Sequence, residues 1–329
     1  MKIIVTGGAG FIGSHLVDNL YDLGHEIVVL DNFSTGRKEN LTHLDKKITL
    51  IECDLSIPGQ WQKSFEDVDT VYHLAALADV VPSIQKPLDY FKSNVDGTFN
   101  VLQAAREYNV SKIIYSASSS CYGLAENFPT SEKEKIDTQY PYALTKRLGE
   151  ELVLHWAKVY KIRSVSLRFF NVYGPRARTS GTYGAVFGVF LKQKLSNAPF
   201  TVVGDGNQTR DFTYVSDVVD ACISVLDLEI LSEIFNVGSG KTVSVNQIAD
   251  LIGGKDYKRS FIPKRPGEPD CTFADISNIK SKTSWYPKID IEVGVKKVLK
   301  EIDYWKEAPL WTPDNIAIET EDWFKYLKK

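Results

Sequence analysis

Six short apolar runs, at residues 2–6, 26–31, 49–53, 70–74, 112–116 and 163–168, have strand length and are rich in Ile, Val or Tyr. Between them, residues 11–23, 61–65, 88–108 and 142–160 place apolar side chains at helical spacing. Strands apolar on both faces, with helices in between, predict a parallel sheet covered on both sides: a doubly wound α/β fold. The pattern changes after Phe169. Gly, Pro and Arg become frequent over 173–183, then a helix is predicted over 185–195 and a strand over 200–203. A helix at 216–226 and a strand at 234–237 predict a return to the sheet. Short helices are predicted over 244–251, 276–283 and 291–305. Residues 311–329 open on Thr-Pro-Asp, with Thr312 as a helix cap and Pro313 in the first turn. The aromatics there (Trp323, Phe324, Tyr326) are expected to pack, and no chemistry is assigned to them. Two units follow: 1–169 with 211–237 as the doubly wound sheet, and 170–210 with 238–329 as a smaller mixed α/β unit on its carboxyl edge.

Composition narrows the class. At 329 residues, with 43% hydrophobic and 25% charged side chains, the chain is that of an ordinary globular protein. A formal charge of −3 gives no electrostatic reason to expect nucleic acid or an anionic membrane as partner. Any bound phosphate must be captured by a few well-placed donors. Cys53, Cys121, Cys222 and Cys271 form no CxxC pair, and the five histidines show no ligand spacing, so no disulfide framework or metal is expected. No apolar stretch approaches the roughly 20 residues that span a bilayer. The strand that begins at once in MKIIVTGG leaves no room for a leader, and a cytoplasmic protein is expected.

The first strand runs into Gly7, Gly10 and Gly13 and then directly into a helix. Gly7 makes the tight turn, Gly10 admits a pyrophosphate to the backbone, and Gly13 lets helix and strand pack closely. The helix N-terminus adds free N–H groups and a positive dipole end. Asp31, ending the second strand, can accept both ribose hydroxyls of adenosine and repel a 2′-phosphate. A dinucleotide-binding Rossmann sheet with NAD, in preference to NADP, is therefore predicted; Arg37 lies near enough to soften that preference. Asp54, after the third strand, is placed to meet adenine or to cap the next turn. Ala75 and Ala76 give small side chains beside the cofactor.

Tyr142 and Lys146 form a YxxxK pair near a helix start, about 6 Å apart on one face. An ammonium beside the phenol lowers the phenol pKa, making Tyr142 a usable base. Ser118, Ser119 and Ser120 follow a strand end, where hydroxyls face the ligand crevice of such folds.

Together these residues resemble the extended short-chain dehydrogenase/reductase superfamily, and within it the UDP-glucose 4-epimerase-like enzymes. The resemblance rests on TGGAGFIG (6–13), Asp31-Asn32, Asp54-Leu55, HLAA (73–76), NVDGT (94–98), the serine run before Tyr122-Gly123, and Tyr142 with Lys146. It continues in LRFFNVYGPR (167–176), GDG (204–206), TRDF (209–212) and RPGE (265–268). It implies that NAD is held by Gly7, Gly10, Phe11, Ile12, Gly13, Asp31, Asn32, Asp54, Leu55, Ala75, Ala76 and Asn94, with Tyr142 and Lys146. It implies Tyr142 as base, Lys146 on the nicotinamide ribose, and Ser118 on the reacting oxygen. Asn171, Arg210 and Arg265 match the residues that grip the nucleotide diphosphate, as bidentate guanidinium groups can; Arg210 beside Asp211 also fits a plain ion pair. Thr272 falls where related enzymes limit room for a 2-acetamido group.

Dehydratases of this superfamily resemble Thr-Asp-Glu, and decarboxylases Thr-Ser-Glu, where this chain has Ser118-Ser119-Ser120. Without a carboxylate there, elimination lacks its acid/base. The expected reaction is C4 epimerisation of a UDP-hexose, or UDP-N-acetylhexosamine, through a 4-keto intermediate. The alternatives are a nucleotide-sugar dehydratase or reductase using Glu126 or Glu132, and an NAD-sensing protein without chemistry. Helices 88–108 and 142–160 match those that pair subunits into a homodimer in this superfamily.

Overall fold

The computed structural model describes residues 1–44, 46–177 and 186–327. In chain order its strands are β1 Lys2–Thr6, β2 Glu26–Asp31, β3 Thr49–Glu52, β4 Thr70–His73, β5 Lys112–Ser118, β6 Arg163–Phe169, β7 Asn171–Tyr173, β8 Phe200–Val203, β9 Thr209–Arg210, β10 Phe212–Tyr214, β11 Ser232–Val237, β12 Val243–Ser244 and β13 Arg259–Ile262. The α-helices are α1 Phe11–Asp22, α2 Val80–Gln85, α3 Pro87–Phe91, α4 Gly97–Glu107, α5 Pro141–Tyr160, α6 Val186–Leu195, α7 Val215–Ser224, α8 Val245–Gly253, α9 Ser277–Lys282, α10 Ile291–Lys300, α11 Pro313–Glu319 and α12 Glu321–Leu327. Among the described residues, no helix is long and apolar enough to cross a membrane.

Seven parallel strands form the main sheet in the order β11-β6-β5-β4-β1-β2-β3. Their apolar residues alternate between two cores, which is why the runs read as continuously hydrophobic. Ile3, Val5, Ile27 and Val29 face the layer with α1 and α7. Ile4, Val28, Leu30 and Val71 face the layer with α4 and α5. Strand order reverses between β1 and β4, and the chain separates there into a crevice at the strands' carboxyl ends. A third core, around Phe190, Phe200, Ile248 and Trp305, fills the smaller lobe. The strand at 232–237 returns to the sheet beside β6, as the pattern predicts.

Several predicted elements differ. Strands β5 and β6 run on to Ser118 and Phe169, carrying the first serine to the crevice. The helix predicted over 88–108 is α3 and α4 joined by a π-turn, Lys92–Asp96. A one-residue insertion of this kind leaves hydrophobic periodicity almost intact, so the pattern cannot reveal it. Residues 291–305 divide into α10 and a 3-10 turn, Ile302–Trp305. The predicted helix start at 185, the tail of the 173–183 stretch and the last two residues lie outside the described residues. Thr312 caps α11 as expected: its hydroxyl accepts from the Asn315 N–H and the Asn315 side-chain Oδ1 accepts from the Thr312 N–H.

One buried network ties the layers together. Glu150, on α5, receives Arg168 Nε at 3.0 Å, Arg168 Nη2 at 2.7 Å and the Ser166 hydroxyl at 2.7 Å, and also pairs with Arg147. Arg168 then donates to the Tyr122 hydroxyl at 2.8 Å, which donates to Asn236 Oδ1 at 2.7 Å. Strands β6 and β11, the 3-10 turn after β5 and α5 are thereby set against one another without an unpaired charge. Glu150→Ala strands a buried guanidinium, so it is expected to lower unfolding free energy by about 3–5 kcal/mol, read by chemical denaturation.

Candidate active site

A cleft of about 680 Å³ follows the carboxyl ends of β1, β2, β4, β5 and β6 into the smaller lobe. Its floor is the glycine turn. Gly7 adopts φ +67, and a Cβ there would stand 2.8 Å from the Ala75 backbone; one on Gly13 would stand 2.2 Å from the Gly7 oxygen. Gly10 caps α1 without a side chain, so the first N–H groups of the helix open towards the cleft, which Phe11, Ile12 and Gly13 line.

Asp31 lines the cleft beside this turn. One carboxylate oxygen accepts the Ala9 N–H at 2.9 Å and the other the Phe33 N–H at 2.8 Å. Asn32 turns its Oδ1 onto the Ser34 N–H, and Asp54 accepts from Ser56 through both backbone and hydroxyl. Asp54 therefore caps a turn and also lines the cleft. Leu55, Ala75 and Ala76 line the same wall. The Arg37 guanidinium lies over the Tyr304 ring, 5.1 Å from its centre. This cradle, open where a Cβ would block it and carrying a carboxylate at the end of β2, fits a dinucleotide.

Asn94 is placed differently. It does not line the cleft; it is buried in the π-turn, accepting from Leu77 N at 2.8 Å and donating to Leu77 O at 2.9 Å. It braces the turn after β4 from behind, because the π-turn aims its side chain inward.

At the reacting end, Tyr142 and Lys146 sit on one face of α5 and both line the cleft. Ser118 caps the 3-10 turn Ser119–Tyr122, and the Ser120 hydroxyl donates to its Oγ at 2.9 Å. Burial raises the Tyr142 phenol above its usual pKa, the nearby Ser118 hydroxyl opposes this, and the Asp79 carboxylate and Cys121 add to the rise. Burial lowers the Lys146 ammonium to about 7, against the pull of Glu150. The expectation that the Tyr142 pKa is depressed is thus corrected: burial raises it, and the contribution that opposes the rise comes from Ser118 rather than Lys146. Lys146 Nζ instead lies over the Tyr115 ring at 4.4 Å.

In the smaller lobe, β7 pairs with β10, and Thr272 donates to Asn171 Oδ1 at 2.9 Å. Arg210 and Asp211 point apart. Arg210 donates to Glu268 at 3.0 Å, and Arg265 stands 3.7 Å from the same carboxylate. Asp211 instead collects N–H groups of Ser239, Gly240 and Ala274. Asn171, Arg210, Arg265 and Thr272 all line the cleft.

Glu126 and Glu132 do not line it; Glu132 accepts the Asn236 N–H at 2.8 Å. Cys121 is a buried packing residue beside Tyr122 and Phe170. Sequence reasoning missed Asp79, Tyr140, Trp311 and Trp323, all on the cleft wall. Trp323 does pack, against Tyr140 and under the Arg265 guanidinium, and donates to the Pro266 carbonyl at 2.7 Å. Nothing in an isolated C-terminal helix signals that it crosses to the cleft.

Residues 3–238 match the family model described as the NAD dependent epimerase/dehydratase family. The chain belongs to that family. NAD is its cofactor. Over 302 residues (90% of this chain, 97% of the relative) it is 37% identical to a putative UDP-glucose 4-epimerase of Methanocaldococcus jannaschii. It is 32% identical over 313 residues, 91% of this chain and 97% of the relative, to a UDP-N-acetyl-alpha-D-glucosaminuronate decarboxylase of Bacillus cytotoxicus. The fold superimposes with a TM-score of 0.86 and 35% identity on a UDP-N-acetylglucosamine 4-epimerase from Methanobrevibacter ruminantium, solved with UDP-N-acetylmuramic acid. That match covers 92% of this chain and 97% of the other.

The Lys146 shift has a measurable consequence. Between about pH 7 and its ordinary value of 10.5, the unfolded chain holds a proton on this lysine that the folded, cofactor-free chain has released. Stability from this group therefore rises with pH through that window. The denaturation midpoint of cofactor-free protein is expected to gain less between pH 7 and about pH 10 in Lys146→Met than in the unaltered protein.

Proposed function

We propose that the protein is a nucleotide-sugar 4-epimerase that inverts C4 of a UDP-hexose, with UDP-N-acetylhexosamine as a second substrate. The carrying observation is that Ser118 and Ser120, bonded to one another and lining the cleft with Tyr142, stand where relatives that eliminate or decarboxylate need a carboxylate. The putative 4-epimerase relative and the superimposed 4-epimerase support the same reading. Residues 1–169 with 211–237 hold NAD, and 170–210 with 238–329 hold the nucleotide sugar.

NAD, when bound, accepts the C4 hydride and returns it. The protein does the rest. Tyr142, as its phenolate, takes the proton of the 4-hydroxyl, Ser118 steadies that oxygen by a hydrogen bond, and Lys146, one turn along α5, would hold the cofactor ribose. Arg210 and Arg265 hold the diphosphate, which must compete with Glu268 for them, and Asn171 supports the same end. Anchoring the diphosphate leaves the 4-keto sugar free to turn and present its other face. Thr272 is small and already tied to Asn171, leaving room for a 2-acetamido group.

One observation favours a dehydratase as second reading: the Asp79 carboxylate lines the cleft and acts on Tyr142. Product analysis with UDP-, dTDP-, GDP- and CDP-hexoses separates the two. Epimerisation leaves product mass unchanged and needs no reductant; loss of water in the product would move the assignment to dehydration. Tyr142→Phe is expected to reduce turnover by about 10²–10⁴-fold, and full activity in that variant would remove the proposed base. Arg210→Met is expected to raise KM far more than it lowers kcat.

The assembly proposed is a homodimer through α4 and α5. Phe91 and Phe99 on one side, and Leu144, Val159 and Tyr160 on the other, are large apolar side chains left exposed. Leu144→Glu is expected to shift the protein to a monomer in sedimentation experiments.

A further inference from the structure

Beneath the cleft, His73 is wholly buried and bonded on both ring nitrogens. Nδ1 lies 2.7 Å from the Thr6 hydroxyl and Nε2 lies 2.9 Å from the Thr98 hydroxyl. Proton positions follow from the neighbours. The Thr98 hydroxyl has one proton, and it goes to the Asn94 carbonyl at 2.6 Å. Only an oxygen lone pair then faces Nε2, so Nε2 carries the ring proton and donates it. Nδ1 is the acceptor, and it takes the Thr6 proton. Thr6 Oγ1 accepts in turn from the Ala75 N–H at 3.2 Å. Burial and the nearby Lys146 cation hold the imidazole pKa down to about 3, so the ring stays neutral.

The chain of donors therefore runs one way, from Ala75 through Thr6, His73 and Thr98 to Asn94. Asn94 closes it. Its amide grips both backbone groups of Leu77 and donates to Thr145 Oγ1 at 3.0 Å, and Thr145 donates to the Tyr142 carbonyl at 3.0 Å. The path starts and ends in the turn that carries Ala75 and Ala76, and it branches into the first turn of α5.

We propose that His73 is a positioning residue: a neutral Nε2–H imidazole whose two directed hydrogen bonds hold the turn after β4 in register with the Tyr142 end of α5. It does not line the cleft. A protonated or reversed ring sets like groups against one another at Thr6 or Thr98 and breaks the chain. The role presupposes the reading of Tyr142 as base and of the 75–76 turn as a cofactor wall.

Thr98→Val removes the acceptor for Nε2 at nearly constant volume, Thr98→Ser keeps it, and His73→Phe removes both links. Thr98→Val and His73→Phe are expected to lower kcat by about 10- to 100-fold, with the KM for the nucleotide sugar nearly unchanged, because the diphosphate grip lies across the cleft. Thr98→Ser is expected to restore near-normal kcat. Independently of turnover, the Kd for NAD, read by quenching of tryptophan fluorescence, is expected to rise about tenfold in Thr98→Val and to stay unchanged in Thr98→Ser. Unaltered kcat and Kd in Thr98→Val, or equal loss in both Thr98 variants, would overturn the proposal. If His73→Phe does not fold, as thermal melting would reveal, the Thr98 pair decides alone. If the unaltered protein turns over no nucleotide sugar while the NAD affinities follow this pattern, the substrate assignment fails and the role of His73 stands.

Discussion

The arrangement of the cleft depends on how closely the chain approaches itself at the carboxyl ends of β1 and β4. Gly7 lies against the Ala75 backbone, and Gly13 lies against the Gly7 carbonyl, at separations that leave no room for a methyl group. This contact brings the N-terminus of α1 to the point where strand order reverses. It also places the turn after β4 beside the glycine turn that floors the cleft. Asp31 is held by two backbone N–H groups in the same region, with its carboxylate already aimed.

Burial is the second force at work, and it acts on Tyr142 and Lys146 in opposite senses. Each is driven towards its neutral form, the phenol upward and the ammonium downward. Glu150 moderates this by opposing the fall at Lys146 while its own charge is taken up by Arg168.

The smaller lobe is assembled from pieces distant in the chain. Arg210 and Arg265 meet at Glu268, Thr272 meets Asn171, and Trp323 from the last helix supports Arg265. Sharing one carboxylate keeps two guanidinium groups close without a ligand, where they would otherwise repel.

By itself the sequence determined the sheet, its doubly wound layers and the glycine–Asp31 cradle, because these rest on short-range periodicity and on turns only glycine can make. It also determined that Tyr142 and Lys146 share a helix face, since i, i+4 spacing is local geometry. Tertiary structure decided what long-range contact alone can set. It put Asn94 behind the wall, since a π-turn hides within helical periodicity. It separated Arg210 from Asp211, although they are neighbours in the chain. It raised the Tyr142 pKa by burial, with Ser118 and not Lys146 opposing the rise, because the Lys146 ammonium is turned onto the Tyr115 ring. It brought Asp79, Trp311 and Trp323 to the cleft, and no pattern confined to their own segments encodes such a meeting.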